Sequence, residues 1–331
     1  MRTTASSVIT RRQLIGGLAG ASVAAALAPS VALGRASGSA RPAQAPPPRR
    51  APGGGLEVTE LAPGVHMIAG AGGNTTVRFG PDHVVAVDSG LPDRAEMLLS
   101  AVRALAPDRP ATLINTHWHF DHAGGNKAFA EGGFRVLASA KCRQRLAGGG
   151  RIDFYQRDIP PGEPRVLPIA GVVGQLELDA GGPITCTAQA PAHTDGDLTL
   201  HLRDADVIVM GDTFFNGIYP FIDYSSGASL PGIVAVADAA LAQAGAGTKI
   251  VPGHGPLADA EALRRYRDMI RDVHDRVAAL IDSGASEDQA VAAKPTAAHD
   301  QAWARGFFQG EQFTRIAYRT IQAERRGAPA R

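Results

Sequence analysis

Three histidines and one aspartate are concentrated in one segment of six residues. They are His117, His119, Asp121 and His122. The preceding residues 111–115 are mostly apolar and predict a short buried strand, and residues 124–126 predict the start of a helix. A regular helix or strand would point the four side chains in different directions, whereas a tight loop can gather them around one or two neighbouring points. Imidazole nitrogens and carboxylate oxygens suit zinc or a similar first-row metal, so the segment predicts a metal site.

Three later positions supply further side chains of the same ligand types. They are His193, Asp212 and His254. Each comes after a predicted strand and a Gly or Pro, as in the run of residues 207–212, where an apolar strand is followed by Gly211 and then the aspartate. Four strands that end in ligand-type residues predict a convergent site at one edge of a sheet.

This ordered set of seven residues closely resembles the motifs of the metallo-β-lactamase superfamily of metal-dependent hydrolases. The resemblance covers roughly residues 56–256 and agrees with the alternation of predicted strands and helices between the motifs. It implies an α/β protein with the αβ/βα four-layer sandwich, in which two mixed β-sheets are flanked by helices.

Carried over position by position, the resemblance implies a catalytic site with two zinc ions per chain. Iron or manganese are alternatives for the same ligands. The residues that hold the first metal would be His117, His119 and His193. Those that hold the second would be Asp121, His122 and His254, and Asp212 would bridge the two. Asp121 would also be catalytic, because it would orient the hydroxide held between the metals as this attacks the substrate.

One departure within the superfamily narrows the expected activity. The true β-lactamases of the family usually lack the bridging aspartate, whereas this chain keeps Asp212. The pattern is therefore more like that of lactonases, thioesterases and esterases. It predicts hydrolysis of an ester, thioester, lactone or amide carbonyl in a small-molecule substrate. The alternatives are a β-lactam hydrolase, an iron-dependent enzyme similar to persulfide dioxygenases, and a periplasmic metal-binding protein without turnover.

The charge distribution argues against a nucleic-acid partner. The formal net charge is +1, but the first 50 residues contain seven of the 33 basic residues and none of the 32 acidic ones. The remaining chain therefore has 26 basic and 32 acidic residues and a net charge of −6. A domain of that sign has no electrostatic footprint for nucleic acid.

The N-terminal residues predict export. Arg11 and Arg12 form the arginine pair of a twin-arginine signal, which we place at residues 1–40. The charge-free stretch 13–34 is less apolar than a typical membrane span, so we expect a periplasmic or secreted protein without stable membrane insertion after signal removal. An uncleaved membrane anchor is the alternative.

The predicted domain order follows from composition and from the extent of the resemblance. Residues 41–55 are rich in Pro and Gly and predict a linker. The catalytic domain is then expected at 56–256, and a C-terminal helical extension at 257–331, with three helical stretches that end near residue 323. A helix is also expected at 95–105, with Asp93 as its N-cap.

Two loops and two cysteines are left with alternative interpretations. Residues 148–168 are rich in Gly and Pro and either shape a substrate pocket or lie on the surface. Residues 214–224 contain five aromatics, which form either an apolar wall for the substrate or a small core beneath the loop. Cys142 and Cys186 form either a disulfide after export or a pair of buried thiols.

Replacing both Arg11 and Arg12 by Lys is expected to block export while the protein that stays in the cytoplasm folds. The arginine pair is recognised by a receptor, and a Lys side chain does not reproduce the planar guanidinium group. Immunoblots of periplasmic and cytoplasmic fractions test this expectation. Normal periplasmic delivery of the double variant would show that the signal is of the general secretory type.

Overall fold

A computed structural model describes residues 49–50, 55–106 and 109–327 of the chain. The predicted export signal at 1–40 and most of the predicted linker at 41–55 lie outside these residues. Within the described part of the chain, no helix is long and apolar enough to cross a membrane.

The described residues form fifteen strands and nine α-helices. The strands are β1 (Arg49–Arg50), β2 (Glu57–Ala62), β3 (Val65–Ala69), β4 (Thr75–Phe79), β5 (Val84–Val87), β6 (Ala111–Ile114), β7 (Phe134–Ser139), β8 (Gly150–Ile152), β9 (Arg157–Ile159), β10 (Ala170–Val172), β11 (Gln175–Asp179), β12 (Pro183–Ala188), β13 (Leu198–Leu202), β14 (Val207–Phe215) and β15 (Lys249–His254). The helices are α1 (Ala95–Leu105), α2 (Phe120–Ala123), α3 (Asn126–Glu131), α4 (Ala140–Gly148), α5 (Leu230–Gln243), α6 (Ala260–Asp282), α7 (Glu287–Ala292), α8 (Asp300–Trp303) and α9 (Gly310–Arg325).

The strands form two mixed sheets and one small hairpin. The first sheet has the order β1-β2-β3-β4-β5-β6-β7-β10, and the second has the order β11-β12-β13-β14-β15. In the first sheet the pairs up to β4–β5 are antiparallel and those from β5 to β10 are parallel. In the second sheet only β14–β15 is parallel. Strands β8 and β9 pair with each other as the hairpin.

The apolar runs of the central strands explain the four layers. In β5, Val84 and Ala86 belong to a core shared with helices α1 and α3, while Val85 and Val87 belong to a core between the two sheets. In β14, residues 207 and 209 belong to the core between the sheets, while residues 208 and 210 pack with helices α5, α6 and α9. Strands covered on both faces need apolar residues at every position. The predicted αβ/βα sandwich is confirmed.

The prediction of Asp93 as the N-cap of α1 is wrong. Residues Pro92–Arg94 form a 3-10 turn, and Arg94 takes the N-cap position without a side-chain cap bond. Pro92 has the fixed φ that suits the first residue of such a turn, so Asp93 lies inside the turn rather than before the helix.

The C-terminal region has four described helices, α6 to α9, where three helical stretches were expected. Lys294 has a φ of +50° just after α7, and Pro295 follows it, so the chain leaves the helical path there. Helices α6 and α9 pack in the same core as α5 and β14. The domain boundary at residue 256 stays a prediction.

The two cysteines are free and buried in different cores. Cys142 lies in the core that holds α5 and α6, and Cys186 lies in the core between the sheets. Of the two alternatives, the structure has the buried thiols.

A buried arginine connects the two sheets at one end of the sandwich. Arg78 of β4 donates to the carbonyl oxygens of Ala180 at 3.1 Å and Gly181 at 2.7 Å, in the turn between β11 and β12. Its guanidinium group also makes two hydrogen bonds to the Asp204 carboxylate, at 2.7 and 2.6 Å. The Arg78 side chain is only 6% exposed and its bond to Ala180 is buried, whereas the Asp204 side chain is 45% exposed.

Arg78→Met is expected to lower the free energy of unfolding by about 2–3 kcal/mol, because carbonyls of the turn lose a charged donor. The matched control is Arg203→Met. Arg203 also pairs with a carboxylate, that of Glu177, but both side chains are about half exposed (50% and 53%). We expect this control to change the free energy of unfolding by less than about 0.5 kcal/mol. Urea unfolding at equal metal content measures the free energy of unfolding of both variants. An equal decrease in the two variants would contradict the role given to Arg78.

Candidate metal centre

A buried polar network fixes the loop that leaves β6. Asn115 and Asn126 exchange amide hydrogen bonds at 3.0 and 2.8 Å, which join the two ends of the loop. Asp88 accepts hydrogen bonds from the Thr116 backbone N–H and hydroxyl, each at 2.7 Å. The same carboxylate lies 2.8 Å from Nδ1 of His122. The loop is therefore held from both sides before it presents its histidines.

The first group of donor atoms is almost completely buried. It consists of His117, His119, His193 and Asp212. Their candidate ligand atoms lie within 4.8 Å of one another. Nε2 of His193 lies 2.9 Å from Nδ1 of His119 and 3.5 Å from Oδ2 of Asp212, which in turn lies 3.7 Å from Nε2 of His117.

The second group lies on the other side of Asp212. It consists of Asp121, His122 and His254. Nε2 of His254 lies 3.2 Å from Oδ2 of Asp121 and 3.3 Å from Nε2 of His122. Asp212 reaches this group too, because its Oδ1 lies 3.0 Å from His122 Nε2 and its Oδ2 lies 3.5 Å from His254 Nε2. The structure thus brings all seven predicted residues together, with Asp212 between the two groups.

The donor set fits metal ions. Four ligands at zinc–nitrogen distances surround the ion with donors roughly 3.3 Å apart, close to the separations in both groups. Nε2 of His117 is buried and has no hydrogen-bond partner among the described residues. Asp212 Oδ1 likewise forms no hydrogen bond in the described part of the chain, although His122 Nε2 lies 3.0 Å from it. Donor atoms that converge on one point, two of them buried without a hydrogen-bond partner, suit a bound cation.

Burial and the nearby carboxylates together determine the protonation of three of the histidines. It lowers the pKa of His117 well below its usual range and that of His193 to about 4, so both imidazoles are neutral and keep a lone pair for a metal. Burial acts in the same direction on His254, but the carboxylates of Asp212 and Asp121 outweigh it and raise its pKa to about 9. The second group thus attracts positive charge even before a metal binds.

Outer hydrogen bonds determine which nitrogen of each histidine faces the centre. Asp223 accepts from Nε2 of His119 at 2.9 Å, so Nδ1 of that ring is the free ligand atom. The backbone carbonyl of Phe221 accepts from Nδ1 of His193 at 2.9 Å, which leaves its Nε2 for the metal. Asp197 accepts from the His193 backbone N–H at 2.7 Å. Such partners fix ring orientation and increase ligand basicity.

The sequence pattern does not predict Asp88, Asp197 or Asp223 as site residues. Asp88 could have been found, because it directly follows the apolar strand β5, and a carboxylate at a strand exit is also the position of the ligand candidates, although its glycine, Gly90, comes after it rather than before. Asp223 has no such signal, since it lies inside an aromatic loop. The five remaining histidines lie outside both groups of donor atoms.

Glycines before or beside the ligand candidates make room for them. A Cβ at Gly253 would lie 1.9 Å from Oδ1 of Asp212, and a Cβ at Gly73 would lie 2.1 Å from the His122 ring. Only residues without a side chain fit there. The Gly in the strand-exit pattern is therefore explained by close approach to the centre.

A cavity of about 300 Å³ opens onto Asp121, Asp212 and His254. Tyr155 of the 148–168 excursion lines it, so this loop does shape the pocket. The aromatic segment 214–224 contributes side chains both to the cavity and to the core. Phe215 and Phe221 line the cavity, whereas Phe214 and Tyr219 are buried in the core beneath.

Comparison with known proteins shows the family to which this chain belongs. Residues 69–258 match the model of the metallo-beta-lactamase superfamily. The chain belongs to this superfamily. Among solved structures, the metallo-β-lactamase from Pontibacter korlensis superimposes with a TM-score of 0.55 over 66% of this chain and 99% of its own, at 17% identity. The sec-alkylsulfatase Pisa1 from Pseudomonas sp. gives a TM-score of 0.57 over 82% of this chain and 51% of its own, also at 17% identity. These structural matches show the fold.

The curated relatives of this superfamily member are hydrolases. Acyl-coenzyme A thioesterase MBLAC2 from Bos taurus is 26% identical over 215 residues, which cover 56% of this chain and 74% of the relative. Hydroxyacylglutathione hydrolase from Hyphomonas neptunium is 28% identical over 137 residues, which cover 41% of this chain and 44% of the relative. The second match thus spans less than half the length of that relative.

Asp223→Asn is expected to weaken metal binding by about 10- to 100-fold, because His119 loses the carboxylate that orients its ring. The matched control is Asp272→Asn. Asp272 accepts from Nε2 of His299 at 2.8 Å in a similar aspartate–histidine pair outside both donor groups. We expect the control to leave metal affinity unchanged. Competition with a chromogenic chelator measures both affinities, and an unchanged value for Asp223→Asn would refute the positioning role.

Proposed function

We propose that this chain is an exported dinuclear zinc hydrolase that cleaves an ester, thioester, lactone or amide, with thioesters and esters preferred over β-lactams. The observation that carries the proposal is the pair of donor groups that share Asp212 at the floor of a largely apolar cavity. When bound there, two zinc ions would act as Lewis acids and lower the pKa of water between them.

The residues around the centre have distinct roles in this proposal. His117, His119 and His193 would hold one zinc ion, and Asp121, His122 and His254 would hold the other, with Asp212 shared. Both carboxylates line the cavity, and Asp121 is the more exposed, with 21% of its side chain exposed against 4% for Asp212. It is therefore placed to accept a hydrogen bond from the attacking water and to orient it toward the carbonyl.

The cavity lining supports an acyl substrate over a β-lactam antibiotic. None of the described residues that line the cavity is Lys or Arg. Penicillins and cephalosporins carry a carboxylate, which this lining offers no cation to bind, and Asp212 adds negative charge at the floor. The names of the two curated relatives, an acyl-coenzyme A thioesterase and a hydroxyacylglutathione hydrolase, support a thioester.

Export is proposed from the arginine pair at residues 11–12, which would deliver the folded enzyme to the periplasm or the medium. A small-molecule substrate is proposed as its partner. The residues 257–331 are proposed as an extension of the catalytic domain at 56–256.

The zinc-loaded protein is expected to bind about two metal ions per chain and to show a higher kcat/KM on a thioester or ester than on any penicillin or cephalosporin. Elemental analysis and a panel of thioesters, esters, lactones and a cephalosporin test this.

Asp121→Asn should lower kcat by about 100-fold or more, because it loses the group that orients the water. Preference for β-lactams by tenfold would establish the β-lactamase alternative. Iron in protein purified without added metal, with oxidation of persulfides, would establish the dioxygenase alternative. Metal binding without any turnover would establish the binding protein.

A further inference from the structure

The cavity beside the metal centre has walls made almost entirely of aromatic side chains. Its aromatic residues are Phe120, Tyr155, Phe215, Phe221, Phe307 and Phe308. They come from four parts of the chain, namely α2, the turn after β8, the segment that begins in β14, and the loop between α8 and α9. This concentration occurs in a chain with only 5% aromatic residues, so the cavity collects a large share of them.

Two of these rings are exposed at the cavity rather than buried in a core. Phe307 is 69% exposed and Tyr155 is 45% exposed. Among the described residues only four large apolar side chains are exposed in this way, and two of them lie at this one cavity. A single exposed apolar side chain needs no explanation, but a cluster at a cavity marks a binding surface.

The deeper rings are held in place by their neighbours. Phe215 stacks on the His254 imidazole at a centroid distance of 5.0 Å, and Tyr155 lies 4.9 Å from Phe221. Phe154, beneath the cavity, braces Phe308 edge-on at 5.5 Å. A rigid set of ring faces and edges offers a guest ring the offset and edge-to-face contacts that aromatic pairs prefer.

The cavity has few side chains that could form hydrogen bonds with a polar ligand. Apart from Asp121, Asp212 and His254 of the metal centre and the hydroxyl of Tyr155, its lining side chains are apolar. Its volume of about 300 Å³ is at the lower end of the range for ligand sites, so it holds one part of a substrate rather than a large thiol carrier as well.

We infer that this cavity binds an aromatic acyl group, and that Phe307 and Tyr155 are the residues that determine this specificity. The inference rests on the proposed function, because it assigns the acyl half of the ester or thioester to the cavity. The leaving thiol or alcohol then lies toward the solvent. A small acyl group would leave the rings of Phe307 and Tyr155 exposed to water, and an acyl group with hydroxyls would make poorer contacts with them. Both would therefore bind more weakly than an aromatic acyl group.

The test compares two thioesters of one small thiol, S-phenylacetyl- and S-acetyl-N-acetylcysteamine, which have similar carbonyl reactivity. The zinc-loaded wild type should have the higher kcat/KM on the phenylacetyl thioester. Phe307→Ala should lower that value on the order of tenfold, mainly through KM, because about 1.4 kcal/mol of ring contact is lost. The acetyl thioester should change by less than about twofold. Phe307→Leu keeps an apolar side chain without a ring. Its kcat/KM on the phenylacetyl thioester should lie between the values of the wild type and of Phe307→Ala.

The matched control is Ile169→Ala, since Ile169 is an equally exposed apolar residue (63%) that does not line the cavity. This variant should have the wild-type kcat/KM on both thioesters. Equal losses on both thioesters in Phe307→Ala, or a wild type that accepts the acetyl thioester as well as the phenylacetyl one, would overturn the inference.

A binding measurement separates this inference from the proposed function. If the wild type hydrolyses neither these thioesters nor any other ester, thioester, lactone or amide tested, the proposed function fails, and saturation-transfer NMR with phenylacetamide and acetamide decides the role of the cavity. Transfer to the phenyl protons in the wild type, reduced in Phe307→Ala and unchanged in Ile169→Ala, supports an aromatic site. Absence of transfer, or transfer equal in all three proteins, overturns it.

Discussion

The burial of Asp212 is the constraint on which the rest of this site depends. Its side chain is only 4% exposed, and nitrogens of four histidines lie within 3.7 Å of its carboxylate. A buried carboxylate is costly unless positive charge compensates for it, and burial keeps two of these histidines, His117 and His193, neutral. Metal ions between these groups would balance the carboxylate, which explains why burial and ligand chemistry occur together here.

This constraint in turn requires a scaffold that delivers side chains to one point. Asp88 and Thr116 follow the ends of the parallel strands β5 and β6 and bond to each other, and β14 and β15 bring Asp212 and His254 to the same edge. Because the central strands β5 and β14 are buried at every position, their ends are held by packing. The site is therefore placed by rigid elements, with loops only completing it.

The sequence predicts the donor atoms far better than their support. His117 and His254 could be assigned because ligand types at strand exits form a local pattern. Asp223 could not, because its role follows from a contact with His119 across 104 positions of the chain. Phe307 illustrates the same limit. Its segment has no periodicity or spacing that separates a cavity wall from surface, and only the tertiary fold brings it within 5.8 Å of the His254 ring centroid.

The aromatic segment after β14 connects the metal centre to the C-terminal helices. Phe221 offers its carbonyl to His193 and its ring to the cavity, while Tyr219 points into the core and stacks on Phe313 of α9 at 4.7 Å. The Tyr219 hydroxyl donates to Asp300 at 2.8 Å, and its backbone N–H donates to the carbonyl of Trp303 at 2.9 Å. These bonds position α8, and the loop that follows α8 carries Phe307 and Phe308 to the cavity. The loop between α8 and α9 therefore completes the cavity, and a change in the packing of the C-terminal helices is expected to alter the shape of the cavity without touching any of the seven ligand candidates.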